Sequence, residues 1–236
     1  MKWVFTPDQF ALAWESTGFD RYPYPLSIRL SARTEDERAV QMSALQRWRD
    51  RTVDGDVEAA LRILARPASR VEVFGLVGSD DSRPVRVLGA TAGQTGVVVT
   101  QACGGELAVS MGHAESMPAR VVAVLPRSQP GRGPARTAPL TEVQRDSKDV
   151  ITASVRTKSV AGQVRRMLNM PRDCIGQLIL GTRLDEGVER ALHSLSWIDV
   201  VNDGRYLVRT RDDVEVIPAS NELFAREIRR ILVEAD

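Results

Sequence analysis

The sequence has few of the side chains on which catalysis and metal binding usually depend. Its 236 residues include two histidines, His113 and His193, and two cysteines, Cys103 and Cys174. A zinc site needs ligands at short spacing, and these four residues do not show it. Both cysteines lie in stretches with a strand-like pattern, which favours buried thiols in a reducing cytosol over a disulfide. We therefore predict no metal, no cofactor and no catalytic residue.

An excess of charge of one sign is also absent. Lys plus Arg (32) almost cancels Asp plus Glu (31), and aromatic residues make up 5% of the chain. Nucleic-acid binding typically uses a basic stripe interleaved with aromatic residues. No apolar run approaches the roughly 20 residues that span a bilayer, and the N-terminal stretch has no apolar segment of a secretory signal. We predict a cytoplasmic protein that binds no nucleic acid and does not insert into a membrane.

Motifs of known enzyme classes are missing too. No Gly-x-Ser-x-Gly sequence occurs. Paired aspartates occur at Asp80/Asp81 and Asp212/Asp213, and both pairs lie at predicted turns, where Asp is favoured for local hydrogen bonding and needs no catalytic role. Binding is thus favoured over catalysis. The alternative is a small-molecule-binding or enzymatic α+β protein with a pocket near His113 or Cys103.

The sequence does contain an internal repeat. Residues 57–77 match 161–181 at a shift of 104, with Pro67 on Pro171 at the end of a predicted helix. Residues 107–125 match 214–232 at a shift of 107. Chance similarity of two α/β stretches is the alternative. A real repeat predicts two related halves and a pseudo-two-fold scaffold.

Capping residues mark the predicted helix starts, and turn residues separate the predicted strands. The second helix is expected to use Val40, Leu45 and Trp48 as its apolar positions. Strands with alternating apolar residues follow one another through short turns, which favours an antiparallel sheet over a parallel one. The predicted helix caps are Thr6 with Gln9, Thr34 with Glu37, Ser159, and Ser220.

Residues 126–139 differ in composition from the rest of the chain. They contain four prolines and two glycines among mainly polar residues, which is typical of a linker or a mobile loop. We predict a single α+β domain over residues 1–236, with a mainly antiparallel sheet flanked by helical bundles. Its N-terminal half is 1–125, its linker 126–139 and its C-terminal half 140–236.

Ten short stretches spread over almost the whole chain form a recognisable series. They are Trp3 and Phe5 before Thr6-Pro7-Asp8, Tyr22 to Leu26, Ala59 to Leu61, Leu64 to Pro67, Arg70 to Val73, Arg86 to Ala90, Pro130 to Pro134, Gly176-Gln177, Trp197-x-Asp199 and Asp203 to Val208. In this order and spacing they resemble the EspG family, the secretion-associated proteins of actinobacterial type VII (ESX) systems. One departure is visible: relatives tend to have a small residue before Gly176-Gln177, where this chain has Cys174-Ile175.

The resemblance implies a cytosolic chaperone rather than an enzyme. Family members have a central antiparallel sheet flanked by two helical groups. They bind the PPE subunit of PE–PPE heterodimers, cap its hydrophobic tip, and keep the pair soluble and addressed to its own secretion system. The free protein is expected to be a monomer or a homodimer.

No short motif marks the partner-binding residues, so we predict them from their type and position in the second half. Tyr206 and Val208 share one strand face, and Leu178 and Leu180 share another. Met167 and Met170 offer adaptable side chains. For each residue, ordinary core packing is the alternative. The predicted contacts are Met167, Met170, Leu178, Leu180, Trp197, Tyr206 and Val208.

Overall fold

In a computed structural model of the chain, one large antiparallel sheet dominates the fold. The structure describes residues 1–78, 83–145, 159–182 and 190–234, so the predicted turn at Asp80/Asp81 lies outside the described residues. The α+β class predicted from the sequence is confirmed. The strands are β1 (Lys2–Phe5), β2 (Ser69–Val77), β3 (Arg83–Ala92), β4 (Thr95–Gln101), β5 (Leu107–His113), β6 (Arg136–Pro139), β7 (Arg172–Thr182), β8 (Arg190–Val200), β9 (Gly204–Thr210) and β10 (Asp213–Pro218).

The ten strands lie in the order β1-β5-β4-β3-β2-β7-β8-β9-β10-β6. Neighbouring strands are antiparallel throughout, and β2 pairs with β7 at the middle of the sheet, from Arg70↔Gly181 to Val77↔Cys174. The described α-helices are α1 (Pro7–Trp14), α2 (Glu35–Thr52), α3 (Gly55–Ala65), α4 (Met117–Val122), α5 (Leu140–Gln144), α6 (Val160–Leu168) and α7 (Asn221–Glu234).

Local sequence determines how the helices begin. The Thr6 hydroxyl accepts from the Gln9 N–H at 3.2 Å while the Gln9 side chain accepts from the Thr6 N–H at 2.9 Å, which confirms the predicted capping box of α1. Thr34 likewise caps α2, but the Glu37 carboxylate accepts from the Arg33 N–H instead of the Thr34 N–H. The predicted caps Ser159 and Ser220 are also confirmed.

Helix α2 differs from its prediction in the way it packs. Leu45 and Trp48 are half-buried, and the Trp48 ring lies edge-on to Phe5 at 5.7 Å. Val40, however, is 80% exposed, so its assignment to the buried face was wrong. The helix is strongly polar and none of its residues is fully buried; its half-buried side chains form a narrow seam from Gln41 to Thr52.

The sheet carries buried cores on both faces. One face packs against α4 and α7 through residues such as Val73, Leu178 and Phe224. The opposite face has two separate cores. The first lies under α1 and α3 in the N-terminal half, and the second involves α5 and α6 in the C-terminal half. The middle of this second face lies between the two helical groups.

The stretch predicted as a linker or mobile loop is held against the sheet. Residues 136–139 form edge strand β6, which pairs with β10. Upstream, the segment 126–135, here called the connector, bonds the start of β9: the Arg205 N–H donates to Gln129 O at 2.7 Å and the Gly131 N–H donates to Arg205 O at 2.9 Å. The connector is therefore packed structure.

The two cysteines have different surroundings. Cys174 is buried in β7, as predicted. Cys103 is exposed in the turn between β4 and β5, so its predicted burial in a strand was wrong. In this turn the Gly105 N–H donates to Ala102 O at 2.9 Å, and Gly105 adopts a positive φ of 95° that favours glycine. Cys174 lies where β7 pairs with β2, and it is far along the chain from the turn that contains Cys103.

Candidate partner-binding surface

The middle of the second sheet face forms an apolar surface between the helical groups. Alternation along β2 and β7 directs Val73 and Leu178 into the α4–α7 core and their sequence neighbours to the opposite side. Of these neighbours Gln177 is exposed, Glu72 is buried opposite Ile179, and the apolar ones are half-buried. We call this surface the central strip; it consists of Phe74, Leu76, Ile175, Gln177 and Ile179.

An aromatic and cationic cluster borders the central strip on its N-terminal side. The Tyr24 ring, 50% exposed, lies 6.4 Å from the Phe74 ring. The Arg86 guanidinium lies over the Phe74 ring, 5.0 Å from its centroid, and donates to Pro25 O at 2.6 Å. Partly exposed Tyr and Arg side chains held in a fixed arrangement are typical hot spots of protein interfaces.

A shallow depression of about 320 Å³ lies on the C-terminal half, beside α6. Met167, Met170 and Tyr206 line it, together with the connector residue Gly133. The Tyr206 hydroxyl donates to the Asp203 carboxylate at 2.7 Å and accepts from the Gly133 N–H at 2.8 Å. Burial, followed by the hydrogen bond to Asp203, raises the pKa of Tyr206 above its usual range. We call this site the α6 depression.

The connector shapes the α6 depression through a close backbone approach. A Cβ atom on Gly131 would lie 2.1 Å from Cζ of Tyr206, so only glycine lets the connector cross the ring. The Arg205 guanidinium also holds the connector in place. It is fully buried and donates to Pro126 O at 2.7 Å. Its charge is balanced by Asp199, with bonds of 2.7 and 2.8 Å.

The seven predicted contact residues are distributed over three environments. Met170 is half-buried and Met167 is 9% exposed; both line the α6 depression with Tyr206. Val208 lies in the same core as Tyr206. The other three belong to the core on the α4–α7 face: Leu178, Leu180 and Trp197. Their contact with a partner stays a prediction.

Trp197 lies flat against the sheet where β2 meets β7. Ideal Cβ atoms on Gly75 and Gly176 would lie 2.8 and 2.0 Å from its ring, so the two glycines make room for it. The indole nitrogen is buried and has no hydrogen-bond partner among the described residues. Trp197 thus fixes the sheet from the face opposite to the central strip.

His113 and Cys103, near which an enzymatic or ligand-binding pocket was considered, do not line the same cavity. Cys103 lines a cavity of about 280 Å³ with Arg29, Arg86 and Gln101. His113 is exposed at the other end of β5 and does not line that cavity. Within the described part of the chain, no group of three or more His, Cys, Asp or Glu side chains gathers as metal ligands. In the same residues, no helix is both long and apolar enough to cross a membrane.

Sequence reasoning missed the cluster of Tyr24, Phe74 and Arg86. Its members are distant in the chain and meet only because Arg86 pairs with Phe74 across β2 and β3. The available signal was the Tyr22-Pro23-Tyr24-Pro25 stretch. In the structure Tyr24 and Pro25 form a turn, in which the Leu26 N–H donates to Pro23 O at 3.1 Å, and this turn leaves the Tyr24 ring half exposed beside Phe74.

Comparisons with known proteins give a family and a fold. No curated protein matches the chain. The solved structure of the Mycobacterium tuberculosis type VII secretion system chaperone EspG5 in complex with the PE25–PPE41 dimer is similar, with a TM-score of 0.64 and 16% identity. The similarity covers 100% of this chain and 96% of that one, and at this identity it shows a shared fold. The model of the EspG family matches residues 6–230, and the chain therefore belongs to the EspG family.

Proposed function

We propose that this chain is a cytosolic chaperone of a type VII secretion system. It binds a PE–PPE heterodimer through the hydrophobic tip of the PPE subunit, keeps the pair soluble and directs it to export, without catalysis or a cofactor. Family membership and the fold shared with EspG5, solved with the PE25–PPE41 dimer, support this proposal. An apolar tip exposed to water promotes aggregation, and a partner that buries it removes the hazard.

The observation that carries the proposal is the half-exposed central strip with its aromatic border. Phe74 and Ile179 present apolar surface, and Tyr24 and Arg86 provide a preformed anchor beside it. A client tip seated there lies close to both helical groups. The α6 depression extends the same surface, with Met167 and Met170 as adaptable contacts. The predicted contacts Leu178, Leu180, Trp197, Tyr206 and Val208 then act by supporting this surface from within the chain.

We also propose that the domain consists of two halves related by a pseudo-two-fold axis, residues 1–125 and 140–236, joined by residues 126–139, whose last four residues form edge strand β6 beside the second half. The strand order supports this, because β1-β5-β4-β3-β2 on one side of the centre corresponds to β6-β10-β9-β8-β7 on the other. Helices α3 and α6 precede the central strands, and α4 and α7 follow the last strands of each half. A helical group flanks the sheet in each half.

Co-expression tests the proposed function. The chain is produced with each PE–PPE pair encoded by the same organism, and complexes are measured by size exclusion with light scattering. A stable 1:1:1 complex is expected with at least one pair. Failure to bind every such pair in soluble form would overturn the proposal.

Matched variants locate the surface. Tyr24→Ala and Gln177→Arg change exposed residues at the border and centre of the central strip, whereas Val40→Asp changes an exposed residue of α2. We expect the first two to weaken client binding about tenfold, which corresponds to the loss of one interface anchor. Val40→Asp should bind as the unaltered chain does. Equal binding by all three variants would place the client elsewhere.

A further inference from the structure

The α6 depression has a charge pattern that the apolar client tip leaves unexplained. Two guanidinium groups line it, those of Arg136 and Arg166. Asp203 is its one lining carboxylate among the described residues. The two Asp203 oxygens are already bonded, one to the Arg132 N–H at 2.7 Å and one to the Tyr206 hydroxyl at 2.7 Å. The lining therefore carries an excess of positive charge.

Neutral groups hold the Arg136 side chain in place. Its Nε donates to Gln163 Oε1 at 2.8 Å, and Nη1 contacts Pro134 O at 3.1 Å and the Met167 sulfur at 3.3 Å. No carboxylate forms an ion pair with Arg136 or with the exposed Arg166 in the ranges that the structure describes. Arg136 is thus oriented by neutral groups, and none of the carboxylates in the described ranges is its ion-pair partner.

Apolar side chains lie directly beside these charges. Met167 and Met170 line the depression with the Tyr206 ring, and the thioether of Met167 touches the Arg136 guanidinium. Flexible methionines accept apolar side chains of varied shape. An apolar side chain that packs on these methionines excludes water from the neighbouring guanidinium groups, and this strengthens a charge-assisted hydrogen bond to a carboxylate beside it.

We propose that the α6 depression binds an acidic segment of the protein client, in which a Glu or Asp adjoins an apolar side chain. The carboxylate bonds Arg136 and Arg166, and the apolar neighbour packs on Met167 and Met170. This inference rests on the proposed chaperone function and adds a polar contact that selects among clients with similar apolar tips. Selection works because a client without the carboxylate leaves two guanidinium groups desolvated and unpaired.

The test compares Arg136→Gln/Arg166→Glu with Arg226→Glu, which reverses a charge on the exposed side of α7. Gln at position 136 keeps a hydrogen-bonding side chain, and thermal melts check that both variants fold. One probe is a PE–PPE pair that co-purifies with the unaltered chain. The other is a fluorescein-labelled peptide of Leu and Glu residues, with a matched peptide that carries Gln in place of Glu.

We expect the double variant to bind the pair and the Glu peptide at least tenfold more weakly, while Arg226→Glu stays within twofold. The Gln peptide should bind the unaltered chain at least tenfold more weakly than the Glu peptide. Where a PE–PPE pair binds, equal affinity for the double variant overturns the inference and leaves the chaperone function standing. Where no pair binds, the proposed function fails, and equal affinity for the two peptides then overturns the inference as well.

Discussion

At the scale of single residues, the contact between Gly176 and the Trp197 indole places the strictest demand on the sequence. A Cβ at position 176 would lie 2.0 Å from the buried ring, which has core side chains such as Phe224 around it. Gly176→Ala should therefore destabilise the protein by about 1–3 kcal/mol or more, because an overpacked core must shift. Urea unfolding of the variant measures this loss.

Gly104→Ala is the matched control for that substitution. No heavy atom lies within 4 Å of a Cβ built at position 104, and the backbone there is not left-handed. Its free energy of unfolding should stay within about 0.5 kcal/mol of the unaltered value, as for other surface changes. Equal stability of Gly176→Ala and Gly104→Ala would show that Trp197 moves aside freely.

The buried Glu72 carboxyl group makes the free energy of unfolding depend on pH, in a direction that follows from its pKa. The residue is 8% exposed, and burial raises the pKa of its carboxyl group above 4.5, against the opposing effect of Arg70 at 2.9 Å. A folded-state pKa above the unfolded value means that its contribution to stability is full below the unfolded pKa and lost as the pH rises through the folded pKa. Ionised Glu72 is therefore unfavourable at neutral pH.

Glu72→Gln should accordingly gain stability relative to the unaltered chain as the pH rises from about 4 to 7. The difference in urea midpoint between the two proteins isolates this group, because the other carboxyl groups contribute equally to both. A difference that does not change with pH, or that favours the unaltered chain more at pH 7, would contradict the assignment of burial as the dominant cause.

At the scale of elements, local signals predicted more than packing did. The Thr6–Gln9 capping box located the start of α1 and Pro67 located the end of α3, because these effects act within a few residues. The Trp197 site could not be predicted, because its two glycines belong to β2 and β7, whose register depends on long-range pairing. The burial of Val40 was predicted wrongly, because burial depends on the residues that lie next to it in the folded structure and not on its spacing along the helix.

The connector is the element whose structure departs most from its composition. Proline and glycine suggested mobility, yet Arg205 fixes the segment from a buried position that no local pattern reveals. Asp199→Asn removes the charge that balances this guanidinium, so it should destabilise the protein by about 3–5 kcal/mol. Limited trypsin digestion should also cut faster after Arg127 and Arg132 as the connector loosens. Urea unfolding and the digestion pattern together measure the effect.

Glu234→Gln serves as the control for Asp199→Asn. It removes an exposed partner of Arg230 on α7, in a pair with a separation of 2.9 Å. Exposed pairs contribute about 0–1 kcal/mol, so stability and digestion should hardly change. If Asp199→Asn digests and unfolds like Glu234→Gln, the buried pair does not hold the connector.

At the scale of the whole molecule, the antiparallel class followed from the sequence because short turns join neighbouring strands. The central β2–β7 pairing did not, since these strands lie about a hundred residues apart. This junction has an energetic consequence. It joins the halves through continuous strand pairing, and α4 of the first half packs on α7 of the second within one core. Separation would expose two long edge strands and divide that core.

We therefore expect the chain to unfold as one cooperative unit despite its two halves. Scanning calorimetry should give a single transition whose calorimetric and van't Hoff enthalpies agree. Residues 1–125 and 126–236 produced separately should aggregate through the exposed β2 and β7 edges, whereas co-expression should yield a folded heterodimer. Two resolved transitions, or a folded and monomeric 1–125 fragment, would mean that each half has a self-sufficient core and that the β2–β7 junction is a docking contact between two domains.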